Sequence, residues 1–159
     1  MNEKDKKLLL IDLSGRLPYG VICKWEHEGF SGGGVLKDLD HVEASNGYRY
    51  WDCYFEGEND DIPIEIVKPY LRPMSSMTEE EERKKLEEVV SLSLNGNNEE
   101  DGEWCLYDRT GIKNLIGGAR FYFDEMYEVY DWLNAHHFDY RGLIEKNLAL
   151  EAPKGMYTI

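Results

Sequence analysis

The sequence predicts an α+β protein, with a small antiparallel SH3-like β-sheet or barrel in the N-terminal half and a helical C-terminal half containing a short hairpin. Three observations lead to this fold class. Four short stretches with strand-like patterns lie between residues 21 and 67. Apolar residues at helical spacing mark one helix before these strands and three helices after them. A polar stretch at residues 95–103 separates the two halves.

The chain starts with a segment, "EKDKKLLLIDLSGR", that predicts a helix because its leucines share one face. Pro18-Tyr19-Gly20 then ends this helix. Its apolar positions are Leu9, Leu10, Leu13 and Leu17.

The strands that follow are marked by alternation and by one turn. Asn46-Gly47 favours a type I′ hairpin turn, because both central positions of that turn need positive φ. Pro63, in the last of the four stretches, favours an edge position for that strand. The first strand places three apolar side chains on one side: Val21, Cys23 and Trp25.

The domain organisation follows from these elements and from the polar stretch. Thr78 and Glu81 have the spacing of a capping box, which predicts the start of a charged helix. Four regions are predicted: an N-terminal helix plus antiparallel β module (1–74), a charged connecting helix (75–94), a linker (95–103) and a C-terminal β-hairpin plus two-helix module (104–159).

In the last region, "EWCLYD" and "ARFYF" predict the two strands of the hairpin. An amphipathic helix follows, with five residues on its predicted buried face. Asp139 is the predicted N-cap of a second, short helix, and Asn147 fits the left-handed position that ends it, with Leu148 as the hydrophobic residue that follows. The buried face consists of Met126, Val129, Tyr130, Leu133 and His137.

The charge of the chain is strongly acidic and unevenly spread. The net charge is −14, and residues 58–103 alone carry 14 acidic and 5 basic side chains, a net of −9. This charge disfavours direct nucleic-acid binding, because phosphate contacts need a basic surface. An acidic chain could instead mimic nucleic acid and inhibit a host defence protein or a DNA-binding protein, which is our alternative hypothesis.

Two adjacent histidines, His136 and His137, raise the question of a metal or catalytic site. Neighbouring residues of a helix point about 100° apart, so this pair is poorly arranged to share one metal ion. A place in the last helical turn, where the dipole favours cations, explains both histidines. We therefore predict no metal site, no cofactor and no catalytic residues, and we favour a non-enzymatic protein.

Three further patterns are interpreted structurally. The widely spaced Cys23, Cys53 and Cys105 predict reduced, partly buried thiols rather than a disulfide framework. The glycine runs "SGGGV" and "LIGGA" lack a phosphate-loop context and predict tight turns. Five aromatic residues could form a cage for a cationic group, although core packing is the favoured interpretation: Trp25, Tyr48, Tyr50, Trp51 and Tyr54.

The remaining candidate site is a protein-binding surface near the C-terminus. Tyrosine and arginine are enriched at binding hot spots, and here they follow a tryptophan and a histidine. The predicted contact residues are Trp132, His136, Tyr140 and Arg141. These residues lead us to predict that the partner is another protein. Because no apolar run approaches the roughly 20 residues of a membrane span, we also predict a cytoplasmic location.

Three blocks of the sequence carry a resemblance: "LLLIDLSGRLPYGVICK", "EIVKPYLRPMSSMTEEE" and "WLNAHHFDYRGLIEKNLALEAPKGMY". Together they resemble a family of small uncharacterised proteins of gut-anaerobe genomes, often encoded in prophage or other mobile elements. The resemblance implies a mobile-element origin, and it assigns no activity and no functional residues.

Overall fold

The computed structural model of the chain divides into two compact units. Unit 1 comprises Met1–Leu71 and Leu143–Ile159, and unit 2 comprises Arg72–Gly142. Unit 2 therefore lies, in the sequence, between two parts of unit 1. The structure describes residues 1–27, 29–43, 45, 47, 49–58, 60–78, 80–81, 107–108, 111–112 and 123–157.

The described helices and strands are numbered in chain order. They are α1 (Glu3–Arg16), β1 (Ile22–His27), β2 (Phe30–Glu43), β3 (Arg49–Phe55), β4 (Ile62–Pro63), β5 (Val67–Leu71), β6 (Tyr107–Asp108), β7 (Gly111–Ile112), α2 (Phe123–Ala135) and β8 (Leu150–Glu151).

Helix α1 confirms the first predicted helix. The Asn2 side chain caps its start by accepting a hydrogen bond from the Asp5 N–H at 2.8 Å. The predicted face is also correct at its centre, because Leu9 and Leu13 are fully buried. Gly20, with φ of +66°, reverses the chain after the short 3₁₀ turn that follows α1.

Unit 1 is built around a six-stranded sheet with the order β4-β3-β2-β1-β5-β8. Strand β2 is long enough to pair with β1 through its first half and with β3 through its second half. A register irregularity between Leu36 and Asp38 separates the two halves. Four of the five strand pairs are antiparallel, whereas β8 runs parallel to β5.

Two local predictions for the sheet are confirmed. The predicted buried side of β1, which includes Trp25, lies in the core of unit 1. The hairpin predicted at Asn46-Gly47 joins β2 and β3, and Gly47 has φ of +78°. The last strand pair is Glu43 with Arg49, so the connection is longer than the predicted two-residue turn. Asn46 lies outside the described residues.

The predicted fold class is wrong in its C-terminal half. Strand β8 belongs to the sheet of unit 1, so this sheet is mixed and larger than the predicted antiparallel module. The predicted short helix after Asp139 is a series of turns, interrupted at Gly142 with φ of +70°. Leu150 of this strand pairs with Tyr70, which is far away in the sequence. A local sequence pattern therefore could not predict the strand.

Unit 2 has a core of its own around α2. Its buried members are Val129, Trp132, Leu133 and Phe138. The hairpin is the two-residue pair of β6 and β7, so its second strand comes earlier than the predicted "ARFYF". Of that segment, Phe123 begins α2 and the other residues lie outside the described part of the chain.

Candidate functional site

The end of α2 is closed by a left-handed residue. His137 has φ of +58°, and its N–H donates to the Asn134 carbonyl at 3.1 Å. The Phe138 N–H donates to the Leu133 carbonyl at 2.9 Å. These two bonds are the Schellman pattern, which satisfies carbonyls at a helix C-terminus and usually employs glycine at the left-handed position. The predicted helix end is therefore confirmed, with a buried histidine where glycine is common.

The neighbouring His136 has a different role. Its ring stacks on the Trp132 indole, with ring centroids 3.8 Å apart and planes 20° from parallel. Its Nδ1 lies 2.9 Å from the Trp132 carbonyl oxygen. Because a carbonyl oxygen only accepts, this contact favours the tautomer with the hydrogen on Nδ1. The two histidines thus hold separate places at the helix end.

Arg72, which the sequence did not identify as a site residue, organises the segment after α2. Its backbone N–H donates to the His137 carbonyl, and its carbonyl accepts from the Asp139 N–H, both at 2.8 Å. Its guanidinium carbon lies 4.2 Å from the centre of the Phe138 ring. The predicted helix-capping role of Asp139 is wrong, because turns follow it instead of a helix. Its N–H bond to Arg72 is part of a parallel bridge between Arg72 and Phe138.

The same arginine reaches the predicted capping box. Nη2 of Arg72 lies 2.7 Å from Oε1 of Glu81. Glu81 accepts a hydrogen bond from the Thr78 N–H at 2.8 Å, and its own N–H donates to the Thr78 hydroxyl at 3.2 Å, which confirms the capping box. Burial pushes the pKa of Glu81 upward, but the bonds from Thr78 and Arg72 outweigh it and hold that pKa below its usual value.

Three tyrosines and one arginine lie on α2 and in the segment after it: Tyr127 and Tyr130 are exposed, whereas Tyr140 and Arg141 are half-buried. The Tyr140 hydroxyl donates to Oδ1 of the buried Asn134 at 3.1 Å. The Tyr140 ring centre lies 5.3 Å from that of Tyr130 and 4.8 Å from the Arg141 guanidinium carbon. Tyr127 lies one helical turn before Tyr130. We call Tyr127, Tyr130, Tyr140 and Arg141 the tyrosine–arginine patch.

Exposure distinguishes the two helix tyrosines of the patch from Trp132, whereas Tyr140, Arg141 and His136 are all half-buried. Tyr127 is 66% exposed and Tyr130 is 40% exposed, whereas Trp132 is only 7% exposed. The predicted buried face of α2 is therefore correct for Val129 and Leu133 but wrong for Tyr130. Of the predicted contact residues, Tyr140 and Arg141 belong to the patch, and Trp132 and His136 form the layer that supports α2.

The aromatic residues of unit 1 pack mainly as core. Trp25 is buried and stacks on Phe55 at 4.3 Å between ring centres. The half-buried Trp51 lies 4.9 Å from the His41 ring. Tyr50 and Tyr54 are half-buried, and Tyr48 lies outside the described residues. Since Trp25 belongs to the core, it cannot contribute an open face to the cage that the sequence allowed.

The glycine run in β2 has a steric cause. A Cβ atom on Gly32 would lie 2.5 Å from the Trp25 ring, and one on Gly33 would lie 3.0 Å from the Cys23 carbonyl oxygen. Gly32, Gly33 and Gly34 are strand residues, so the tight turn predicted for "SGGGV" is wrong. The run "LIGGA" lies outside the described residues.

A buried polar group lies in the core of unit 1. Arg16 binds Asp12 of the same helix through two contacts, Nε to Oδ2 at 2.7 Å and Nη2 to Oδ1 at 3.0 Å. Both side chains are fully buried. Tyr157 lies near this pair, and its hydroxyl accepts from the Ile22 N–H at 3.2 Å and donates to the Tyr70 carbonyl at 2.8 Å. Burial raises the pKa of Tyr157.

The described cysteines are buried thiols. Cys23 and Cys53 are both free and buried, and Cys105 lies outside the described residues. Burial raises the pKa of Cys23 well above its usual value and raises that of Cys53 to about 12. A thiol is nucleophilic as the thiolate, so these two side chains are suited to packing rather than to reaction.

Comparison with known proteins adds no relative. No family model, curated protein or solved structure matches the chain. Among the described residues, none of the helices has the length and apolar composition needed to cross a membrane. In the same ranges, no three histidine, cysteine or acidic side chains are grouped so that they could hold a metal ion.

Proposed function

We propose that the chain is a non-enzymatic protein-interaction module and that the tyrosine–arginine patch is its contact surface. The observation that carries the proposal is the exposure of Tyr127 and Tyr130 beside a second core. Large aromatic side chains exposed in a row are unusual on a solvated surface and are enriched at binding sites. We also propose a cytoplasmic location and the mobile-element origin that the resemblance implies.

A central side chain of the patch, Tyr140, is already ordered, which favours binding. Tyr140 is held by the buried Asn134 and lies between Tyr130 and Arg141, so its ring loses little further freedom on binding. A side chain that is already ordered binds with a smaller entropy penalty. Trp132 and His136 act beneath the patch by fixing the end of α2, rather than by touching the partner.

The alternative function, nucleic-acid mimicry, has weaker support in the described residues. Several carboxylates of the two units are paired with a basic side chain, including Glu43 with Arg49 and Glu56 with Lys37. Pairing interrupts the continuous negative face that a phosphate mimic needs. Most of residues 58–103, the most acidic stretch, lies outside the described part of the chain. Competition by duplex DNA for the captured partner would favour mimicry over our proposal.

Site-specific photo-crosslinking in the native cells tests the proposed surface. A photoreactive phenylalanine analogue would replace Tyr127 in one variant and Tyr19 in a matched control. Tyr19 is suitable because it is a tyrosine of unit 1 with an exposure of 37%, close to that of Tyr130. We expect a discrete crosslinked protein from position 127 and none of the same mass from position 19.

The crosslinked partner would then be purified and its affinity measured. Arg141→Ala and Tyr140→Ala should each weaken binding. The thermal unfolding midpoint should stay close to that of the parent chain in Arg141→Ala and fall in Tyr140→Ala, which also removes a hydrogen bond to the buried Asn134. Hot-spot truncations reduce affinity by more than tenfold when they cost about 2 kcal/mol. Identical crosslinks from the two positions, or unchanged affinity in both variants, would exclude the patch as the contact surface.

A further inference from the structure

Within the tyrosine–arginine patch, an arginine already lies over a tyrosine ring, and a partner's arginine could make the same contact. The guanidinium of Arg141 lies over the Tyr140 ring, and the Tyr130 ring lies next to Tyr140 in the same row. A tyrosine face attracts a guanidinium because the ring's negative face meets a weakly hydrated planar cation. The first ring of the row therefore already holds an arginine, while Tyr130 and Tyr127 are exposed to solvent.

The charge around these two rings favours the same ligand. Helix α2 has four acidic residues and no lysine or arginine in its sequence. One of the four, Asp131, is exposed and lies one helical turn after Tyr127. The whole chain carries a net charge of −14, which attracts a cationic partner over a longer range. An exposed tyrosine beside a carboxylate can offer a cation both a ring face and a counter-charge.

We infer that the partner presents an arginine-rich segment, whose guanidinium groups stack on Tyr130 and Tyr127 and pair with Asp131. This inference rests on the proposed function and names the chemistry of its partner. Arginine suits the row better than lysine, because its flat guanidinium can stack on a ring while its N–H groups bind a carboxylate. The partner's arginines would extend the row that Arg141 and Tyr140 begin.

Binding of a defined peptide to the full chain tests the inference. The probe is a short peptide of alternating arginine and glycine, and its comparison is the same peptide with lysine in place of arginine. We expect tighter binding of the arginine peptide, and a decrease in affinity as salt is raised. Tyr127→Ala and Tyr130→Ala should each lower the affinity by about two- to fivefold, the size of one exposed cation–ring contact.

The variants keep net charge constant, so bulk attraction to an acidic protein cannot produce the expected pattern. Tyr19→Ala is the matched control and should leave the affinity unchanged. Tyr127→Phe and Tyr130→Phe should retain binding, since phenylalanine preserves the ring face. Equal affinities of the double variant Tyr127→Ala/Tyr130→Ala and the parent chain, or an equal loss in Tyr19→Ala, would overturn the inference.

The outcomes separate this inference from the proposed function. A partner that crosslinks through position 127 but contains no arginine-rich segment contradicts the inference and leaves the interaction surface supported. Failure of crosslinking at that position contradicts the proposed function itself. A crosslinked partner whose arginine-rich segment, replaced with lysine, binds markedly more weakly supports both.

Discussion

Each unit of the molecule holds a largely buried arginine that is paired with a carboxylate, and the two pairs differ in what they connect. In unit 1, Arg16 and Asp12 belong to the same helix and are fully buried in the core. In unit 2, Arg72 connects Glu81 with the segment after α2, and its side chain is 16% exposed. The first pair neutralises charge inside a core, whereas the arginine of the second also binds, through its backbone, a segment that is distant in the sequence.

This difference shows why a buried ion pair is not by itself a functional sign. Removing two charges from water is expensive, and the attraction within the Arg16 pair, which joins two residues of one helix, offsets that penalty. Arg72 uses its backbone, its guanidinium and the Phe138 ring to fix the corner that carries Tyr140 and Arg141. The site therefore depends on the second arginine, and the stability of unit 1 depends on the first.

The largest effect should follow from breaking the pair in unit 1. Asp12→Ala leaves the charge of Arg16 buried without its carboxylate, which should lower the free energy of unfolding by about 3–5 kcal/mol. Urea unfolding followed by tryptophan fluorescence measures this change.

The control for this prediction replaces both partners. Asp12→Leu combined with Arg16→Met fills similar volume without charge, so the double variant should recover most of the lost stability. A single Asp12→Ala variant that loses less than about 1 kcal/mol would show that water or another group solvates Arg16, contrary to its complete burial.

The comparison also explains how much of the fold the sequence could predict. Local spacing is sufficient to predict helix α1, strand β1 and the capping box, because each depends on residues that are close together in the sequence. The pairing of β8 with β5 depends on contacts about 80 residues apart, which no local pattern records. The turn over residues 139–147 has helix-like capping residues, but Gly142 and the hydrogen bond from the Asp139 N–H to the Arg72 carbonyl override them.

The candidate site was predictable only in part for a related reason. Tyr140 and Arg141 were identified from residue type, and the spacing of Tyr127 and Tyr130 could have added them as one exposed face of α2. Nothing in the sequence marks Arg72, because its partner Phe138 is far from it along the chain and its partner Glu81 lies outside the range of helical spacing. The spacing of Asp12 and Arg16 is visible, but an i,i+4 pair is usually exposed, so its burial was not expected.

The second prediction, with a smaller expected effect, concerns two residues in the left-handed backbone conformation, one in each unit. His137 and Asn147 have φ of +58° and +57°, and the Asn147 N–H donates to the Ile144 carbonyl in the same way as His137 donates to Asn134. The Leu148 N–H completes the pattern with the Leu143 carbonyl at 2.9 Å, which confirms the left-handed position predicted for Asn147. The same closure therefore ends a helix in unit 2 and a turn in unit 1.

The difference in stability between an alanine and a glycine variant at each position measures the backbone strain of the left-handed conformation, separately from the contribution of the native side chain. At each position alanine should be less stable than glycine by about 1 kcal/mol, because only glycine tolerates this φ without strain. The side chain is lost in both variants, so it cancels from the difference. Urea unfolding of the four variants gives both differences, and a value near zero at either position would mean that its backbone relaxes out of the left-handed region.

The smallest effect is a pH dependence of opposite sign in the two units. Burial, followed by the nearby Asp61, Glu65 and Asp40, raises the pKa of Asp52. The folded state therefore holds the Asp52 proton more tightly than the unfolded state, and stability falls as the pH rises through this range. Glu81 behaves oppositely, because its lowered pKa contributes stability that is present at neutral pH and lost as the pH falls.

Replacing each carboxylate by its amide should reveal the two opposite pH dependences, with the parent chain as the common reference. At neutral pH, Asp52→Asn should be more stable than the parent chain and Glu81→Gln less stable. The Asp52→Asn difference should vanish at a pH below the ordinary carboxyl values of about 4, where Asp52 is protonated. The Glu81→Gln difference should vanish only at still lower pH, because the pKa of Glu81 is lowered. Glu151→Gln, at an exposed position of β8, is the control for the loss of one negative charge. A stabilisation by Asp52→Asn that persisted unchanged at low pH would point to packing, since charge would no longer distinguish the two side chains.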